Sequence, residues 1–321
     1  MLQPYGAGIL GHTGFVGSTI AQDLPTAQTF NSRNVLDAES MSFETLYCAA
    51  APGSMFEANK YPERDAERID ALITSLSRMQ AGRFILISTI AVLDTFDGGY
   101  TEADSRYQEN TPYGVNRRRL EIACQAHFPR CLVVRLPALF GPRLAKNFVF
   151  DLMNPMPTML NAQAYHTLET GLPESLLPSL EAIYAPDAAL GMHVIDRMAL
   201  GALRDRQALT AEADRLGINA VMFHNRETTY QFYGMSSLVA DIDLALNADL
   251  DVLHLATAPL TTAEIYRTLK GAEMPETCGR VHAEDMRTLH AGLWGKEGSY
   301  ISSSEDVREA LTRFYHAEME S

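Results

Sequence analysis

Gly11, Gly14 and Gly17 stand three residues apart in GHTGFVG, behind a short apolar run (GAGIL) and ahead of a helical pattern (STIAQDL) whose Ile20 and Leu24 share a face. Glycine permits a tight turn and lets the backbone approach a ligand that a Cβ would exclude. The helix that follows begins with unpaired N–H groups and a partial positive charge, which together suit a phosphate. Strand, glycine turn and helix in that order form the phosphate-binding corner of a dinucleotide fold. The alternative is a glycine-rich turn without a ligand.

The rest of the first half keeps an α/β rhythm. AQTFNSRN reads as a second, short strand, and FETLYCAAAP as a third, closed by Pro52 and Gly53. Glu63 to Met79 has helical spacing, with Ile69, Leu72, Ile73 and Leu76 apolar. RFILISTIAVL is the strongest strand, Tyr113 to Ala126 reads as a helix, and CLVVRLPALFGP as a buried strand ending in a turn at Gly141 and Pro142. Strands that are apolar throughout and alternate with helices predict an α/β fold, a doubly wound (Rossmann) parallel sheet covered on both faces.

That domain is expected over residues 1–142. Residues 143–321 are less regular and predict a smaller, mixed C-terminal lobe that binds substrate. NPMPTMLNAQAYHTLETGLPESLLPSL predicts loops and short helices, and helices are expected over 187–202 and 236–246. DVLHLAT reads as a strand and TTAEIYRTLKG as a helix opened by a Thr cap. The parts 187–202 and 236–270 are expected to pack back on the first domain.

Composition excludes several partner classes. A chain of 321 residues with 46% hydrophobic and 21% charged residues has enough core for two lobes. A net charge of −14 repels phosphate backbones and anionic lipid, so neither nucleic acid nor membrane is an expected partner. Cys48, Cys124, Cys131 and Cys278 form no CxxC pair, which fits reduced thiols, and the N-terminus lacks the pattern of a signal peptide; a cytoplasmic location is expected. The 9 histidines show no ligand spacing, so no metal is expected.

The second strand ends in Asn31, Ser32 and Arg33, with no carboxylate before Asp37. A carboxylate there accepts ribose hydroxyls, whereas arginine can fork onto a 2′-phosphate. This favours NADP(H) over NAD(H); the alternative is an Arg33 solvated at the strand end.

Three motifs in order, GHTGFVG, the hydroxyl pair in ILISTIAV, and Tyr113 with a basic residue four positions on in YGVNR, resemble the extended branch of the short-chain dehydrogenase/reductase superfamily. RLPALFGP and DVLHLAT extend the resemblance over nearly the whole chain, and the pattern is nearest to NAD-dependent epimerases, dehydratases and reductases that modify sugar nucleotides. The resemblance implies an NAD(P)-dependent oxidoreductase or epimerase acting on a nucleotide-linked sugar, with Tyr113 as acid/base, Thr89 as the assisting hydroxyl and Arg117 as the cation. It implies a cofactor held by Gly11, His12, Thr13, Gly14, Phe15, Val16 and Gly17, by Asn31, Ser32 and Arg33, by Ala49, Ala50 and Ala51, and by Tyr113, Arg117 and Pro137. Candidates for substrate contact are Ser88, Lys146, Asn147 and Arg226; the alternatives are sheet filler or a turn cap for Ser88 and Thr89, the polar start of an amphipathic helix for Lys146 and Asn147, and a structural ion pair for Arg226. Relatives often pair through the tyrosine helix, so a homodimer is implied by analogy.

One residue departs from the family's pattern. Tyr113 and position 117 lie one helical turn apart on one face, and the family carries lysine there. A positive charge favours the phenolate and is expected to bring it toward usable pH. Arg117 keeps the charge, but its donors are planar and fixed in direction. Either it performs the lysine's task in an enzyme, or the chain is a non-catalytic dinucleotide-binding regulator or scaffold with a degenerate site.

Overall fold

Neighbouring residues on the apolar runs go to opposite layers. The computed structural model describes residues 5–277 and 279–320, so Cys278 lies outside the described residues. Strands β1 (Tyr5–Leu10), β2 (Gln28–Phe30), β3 (Ser42–Cys48), β4 (Gln80–Thr89), β5 (Cys131–Leu136) and the strand Val252–His254 form one sheet. Its order runs from Val252–His254 through β5, β4, β3 and β1 to β2, and every pair is parallel. In register across it, Leu10, Cys48, Leu86 and Val133 form one row, and Ile9, Tyr47, Ile85 and Leu132 the next. Because side chains alternate along a strand, the first row packs with Ile69, Leu76, Leu120 and Cys124. The second packs with Ile20, Leu238 and Ile242. This is a Rossmann-like α/β fold with apolar cores on both faces.

The chain divides into two units. The first comprises Met1–Leu144, Thr229–Leu260 and Ala283–Phe314, and the second Ala145–Thr228, Thr261–His282 and Tyr315–Ser321. Residues 236–260 thus belong to the first unit, whereas 187–202 and 261–270 belong to the second.

Local corrections have local causes. The strand expected through 131–142 is two: β5 ends at Leu136, and Ala138–Phe140 pairs separately with Phe232–Gly234. Pro137 between them has no N–H to continue a ladder. The helix expected over 187–202 is a strand Tyr184–Asp187, a turn with Gly191 at φ 64°, a strand Met192–Ile195 and only then a helix, Arg197–Ala202. The two strands pair antiparallel with each other, and Met159–Leu160 joins the second. Around them Leu168, Leu180, Ile183 and Leu209 form the second unit's own core. The helix Thr262–Lys270 opens as expected on a Thr cap, in which Thr261 and Glu264 bond reciprocally, and closes on Gly271 at φ 66°.

Cys48, Cys124 and Cys131 are free and buried. Burial pushes all three thiols up, that of Cys48 to about 11 and that of Cys131 to about 12. In a Cys278→Ser variant at pH 8, an aromatic disulfide reagent is therefore expected to modify no thiol of the folded protein within minutes, and all three after denaturation. Release of coloured thiolate from the folded chain would contradict this. Among the described residues no helix is long and apolar enough to cross a membrane.

Candidate functional site

In the first unit the strand order reverses at β1, with β2 on one side and β3 on the other, and such a switch point opens a crevice at the carboxyl ends of the strands. The glycine turn occupies that edge. Gly11 adopts φ 83°, and its N–H donates to the Phe30 carbonyl at 2.8 Å. A Cβ on Gly11 would lie 2.5 Å from the Ala49 carbonyl oxygen, and one on Gly17 only 2.2 Å from the Gly11 carbonyl oxygen. Both contacts are with backbone, which cannot swing away, so the loop closes only with glycine at these places.

Gly14 caps the helix Phe15–Asp23, with no side chain bonded to the first N–H groups and no acid in the first turn. That leaves the end of the helix open to an anion. His12 is turned to the Phe30 carbonyl, 3.0 Å from Nδ1, while Thr13 stays exposed and Phe15 and Val16 are half-buried. At the end of β2 the Asn31 side chain accepts from the Arg33 N–H at 2.8 Å, making a turn that leaves Ser32 and Arg33 exposed. Ala49, Ala50 and Ala51 continue β3 as a half-buried, small-residue segment beside the glycine turn. Pro137 is buried just past β5.

Thr89 is the last residue of β4, and its side chain accepts from the Ala91 N–H at 3.2 Å, capping a short turn. The helix Pro112–His127 presents Tyr113 at its start, where the backbone N–H donates to the Asn59 side chain at 3.0 Å. The Tyr113 ring packs on Ala58 and Ala91. Arg117 lies over that ring, its guanidinium carbon 4.2 Å from the ring centre. It is only 3% exposed and is met by the 5% exposed carboxylate of Asp65, at 2.5 Å. Its other terminal nitrogen donates to the Pro52 carbonyl, and its Nε is buried without a partner among the described residues.

This geometry reverses one expectation. Burial pushes the Tyr113 phenol above its ordinary value; the Arg117 charge and the Thr89 hydroxyl act against that, and Asp65 reinforces it. A cation four residues on does not by itself yield a reactive phenolate, because burial of the ring outweighs it and a carboxylate from another helix shares its field.

Ser88 requires a correction. It is next to Thr89 and so points to the opposite side of the strand, where its hydroxyl donates to Glu121 at 2.6 Å. Glu121 also accepts from Arg135 at 3.0 and 2.8 Å and from Arg118 at 2.7 Å. Ser88 thus serves a buried polar network in the core, not the crevice. In the same network Arg135 donates to His254 Nε2 at 3.0 Å, and Nδ1–H of His254 donates to the Arg287 carbonyl at 2.8 Å. The tautomer follows from partners that can only donate or only accept. Burial lowers the His254 imidazole below its ordinary value and keeps it neutral. Glu102 closes the network, accepting from the His254 backbone N–H at 2.9 Å and from the Thr288 hydroxyl at 2.7 Å.

Lys146, Asn147 and Arg226 belong to the second unit. Of the two readings of Asn147, the helix start describes its oxygen: the side chain caps the helix Phe148–Met153, accepting from the Val149 and Phe150 N–H groups at 3.0 and 3.1 Å. Asn147-Phe148 begins a helix, and the amide oxygen is taken by that helix's unpaired donors. Lys146 and Arg226 are exposed. Among the described residues no group of three or more His, Cys, Asp or Glu is placed to hold a metal ion.

The sequence reading missed Asp65, Asn59, the Pro52 carbonyl and the Glu121–Arg135–His254 network. Only Asp65 left a trace in sequence, as a carboxylate on the same face as Ile69 and Leu76, both buried. An acid on a buried stripe needs a partner.

The model of the NAD dependent epimerase/dehydratase family matches residues 26–202, a span that holds Thr89, Tyr113 and Arg117 and begins beyond the glycine turn. No curated protein sequence matches the chain. Among solved structures it is similar to a UDP-glucose 4-epimerase of Thermotoga maritima with UDP-glucose, at 14% identity and TM-score 0.60 over 98% of this chain and 99% of that one. A dTDP-4-dehydrorhamnose reductase of Bacillus anthracis in complex with NADP matches at 11% identity and TM-score 0.60 over 99% of both chains. A UDP-N-acetylglucosamine 4-epimerase of Methanobrevibacter ruminantium, in complex with UDP-N-acetylmuramic acid, matches at 12% identity and TM-score 0.61, again over 99% of both. At such identities the likeness is one of fold.

Proposed function

Because the chain belongs to the NAD-dependent epimerase/dehydratase family, we propose that it binds a nicotinamide dinucleotide along Gly11–Gly17 and moves a proton through Tyr113 to or from an oxygen of a nucleotide-linked sugar. The observation that carries this reading is the meeting of Tyr113 and Thr89 with Arg117 at the carboxyl end of β4, in the unit whose glycine turn leaves a helix end open. NADP(H) over NAD(H), the nucleotide-sugar substrate and a homodimer through the tyrosine helix are parts of the same proposal.

The residues present suit such a cofactor. The close backbone contacts at Gly11 and Gly17 make a cradle that a Cβ would fill, and the free end of the helix Phe15–Asp23 suits a pyrophosphate. Arg33, exposed beyond β2, can take a 2′-phosphate, and the unpartnered Arg117 Nε can donate to a ribose hydroxyl. When bound, the cofactor supplies or accepts the hydride. The chain itself supplies orientation and the proton: Thr89 positions the substrate oxygen, and the neutral phenol of Tyr113 donates to it as negative charge develops there. In the reverse direction the same oxygen of Tyr113 receives the proton.

A non-catalytic dinucleotide-binding regulator is the second reading. The engagement of Arg117 by Asp65 and the Pro52 carbonyl favours it, since both take up a cation that would otherwise serve the phenol.

Fluorescence titration of the purified protein with NADPH and NADH tests the proposal. Tighter NADPH binding is expected, weakened roughly tenfold or more in Arg33→Ala, as loss of a charge-assisted hydrogen bond implies. Preference for NADH would overturn the assignment of Arg33, and binding of neither would overturn the function. Tight binding without turnover on a panel of nucleotide-sugars would select the regulator.

A further inference from the structure

We propose that Asp65 is a positioning residue: by holding the Arg117 guanidinium against the Pro52 carbonyl and the face of the Tyr113 ring, it sets how readily Tyr113 releases its proton. This rests on Tyr113 being the acid/base of the proposed reaction.

The geometry is that of a built clamp. Asp65 and Arg117 meet at 2.5 Å with both side chains buried. The same carboxylate oxygen accepts from the Asn116 side chain at 2.9 Å, so two neighbours on the tyrosine helix converge on it. Arg117 is thereby anchored to the helix Pro62–Leu76 through Asp65 and to the segment after β3 through the Pro52 carbonyl. What faces the phenol is then a paired charge. The field of an ion pair is the difference of two nearly equal terms and falls off faster than that of a lone cation.

The groups acting on the phenol are few. Arg117 comes from its own helix, Asp65 from Pro62–Leu76 and Thr89 from the end of β4. The short helix Met55–Lys60 contributes uncharged groups, the Asn59 side chain to the Tyr113 N–H and Ala58 to the ring. Burial sets the phenol above its ordinary value, and Arg117 and Asp65 are the pair of charges whose balance adjusts it from there. Removing the acid leaves the cation unopposed, and the phenolate gains. Burial alone keeps the phenol protonated at neutral pH, and Asp65 adds to that by offsetting the Arg117 charge.

Asp65→Asn keeps the shape and one acceptor while removing the charge. NMR titration of protein carrying 13C at the tyrosine ζ-carbon, with Tyr113 assigned by its absence in Tyr113→Phe, reads the phenol directly without any turnover. The pKa of Tyr113 is expected to fall by about one unit or more in Asp65→Asn, a tenfold easier ionisation, and to return toward the wild-type value in Asp65→Glu. If the enzyme turns over a nucleotide-sugar, the alkaline limb of its kcat profile moves down by the same amount. Should Asp65→Asn fail to fold, Arg117→Lys and Asp65→Asn/Arg117→Lys carry the same comparison with a more flexible cation. An unchanged or raised phenol, or loss of the fold in every Asn variant, would overturn the proposal and leave Asp65 a purely structural residue. Absence of turnover with the shift present would sink the proposed reaction and leave the clamp standing.

Discussion

Replacing Tyr113 by phenylalanine is expected to lower turnover by about two to four orders of magnitude while leaving dinucleotide affinity within about threefold. The loss is confined to one oxygen. The ring keeps its packing on Ala58 and Ala91, and Arg117 keeps its place over the ring face because Asp65 and the Pro52 carbonyl hold it there. What disappears is the group proposed to give or take the proton beside Thr89. The pH dependence has a definite sign. Since burial raises the phenol above its ordinary value, the proton-donating direction runs at full rate through neutral pH and declines as pH rises past that value. The proton-accepting direction rises over the same interval, because there the phenolate is the active form. Paired forward and reverse rates from pH 6 to 11, with stability followed separately, check both statements. Undiminished activity in Tyr113→Phe would remove the tyrosine from the chemistry.

Replacing Arg135 by methionine is expected to cost about 3–5 kcal/mol of stability, the range for breaking one side of a buried ion pair. Arg135 is 1% exposed and Glu121 is fully buried. Without the arginine, Glu121 keeps Ser88 and Arg118 as donors but loses the two bonds and the charge from β5. His254 loses its Nε2 partner at the same time. Burial acts to raise the Glu121 carboxyl, yet Arg135, Ser88 and Arg118 together hold it below its ordinary value. In the native chain Glu121 therefore adds stability above the unfolded-state value near 4.5, and that contribution is lost as pH falls through its lower folded value. In the variant the largest opposing partner is gone, so burial weighs more heavily against the charged acid at neutral pH, with Arg118 and Ser88 left to hold it. Denaturant unfolding should then show a larger gap between the two proteins at pH 7 than at pH 4. A gap independent of pH would mean that packing, and not the stranded carboxylate, accounts for the loss. A Glu121→Leu/Arg135→Met pair, which removes both fully buried charges and leaves only the partly exposed Arg118 without its acid, should recover most of it.

The features legible in the residues alone were those whose cause is local. Gly11 and Gly17 are needed by backbone contacts within a few residues or across one strand, so their spacing made the tight turn after β1 legible. Strands whose apolar residues run consecutively declared a sheet covered on both faces, and Tyr113 and Arg117 share a helix face wherever that helix lies. Pairings across the fold were not legible. Asp65 stands 52 positions from Arg117 and reaches it only because two helices pack side by side. Arg135 finds Glu121 14 positions away and His254 119 positions away, once β5 is ordered between β4 and the strand Val252–His254. Ser88 and Thr89 show the limit most simply: alternation sends them to opposite faces, but which face holds the crevice depends on the packing of both layers. The residue types and their local spacing sufficed for the fold class and for the candidate acid/base. The charge state of that acid/base is decided by tertiary structure, because a buried phenol responds to every charge brought within a few ångströms, whatever its distance along the chain.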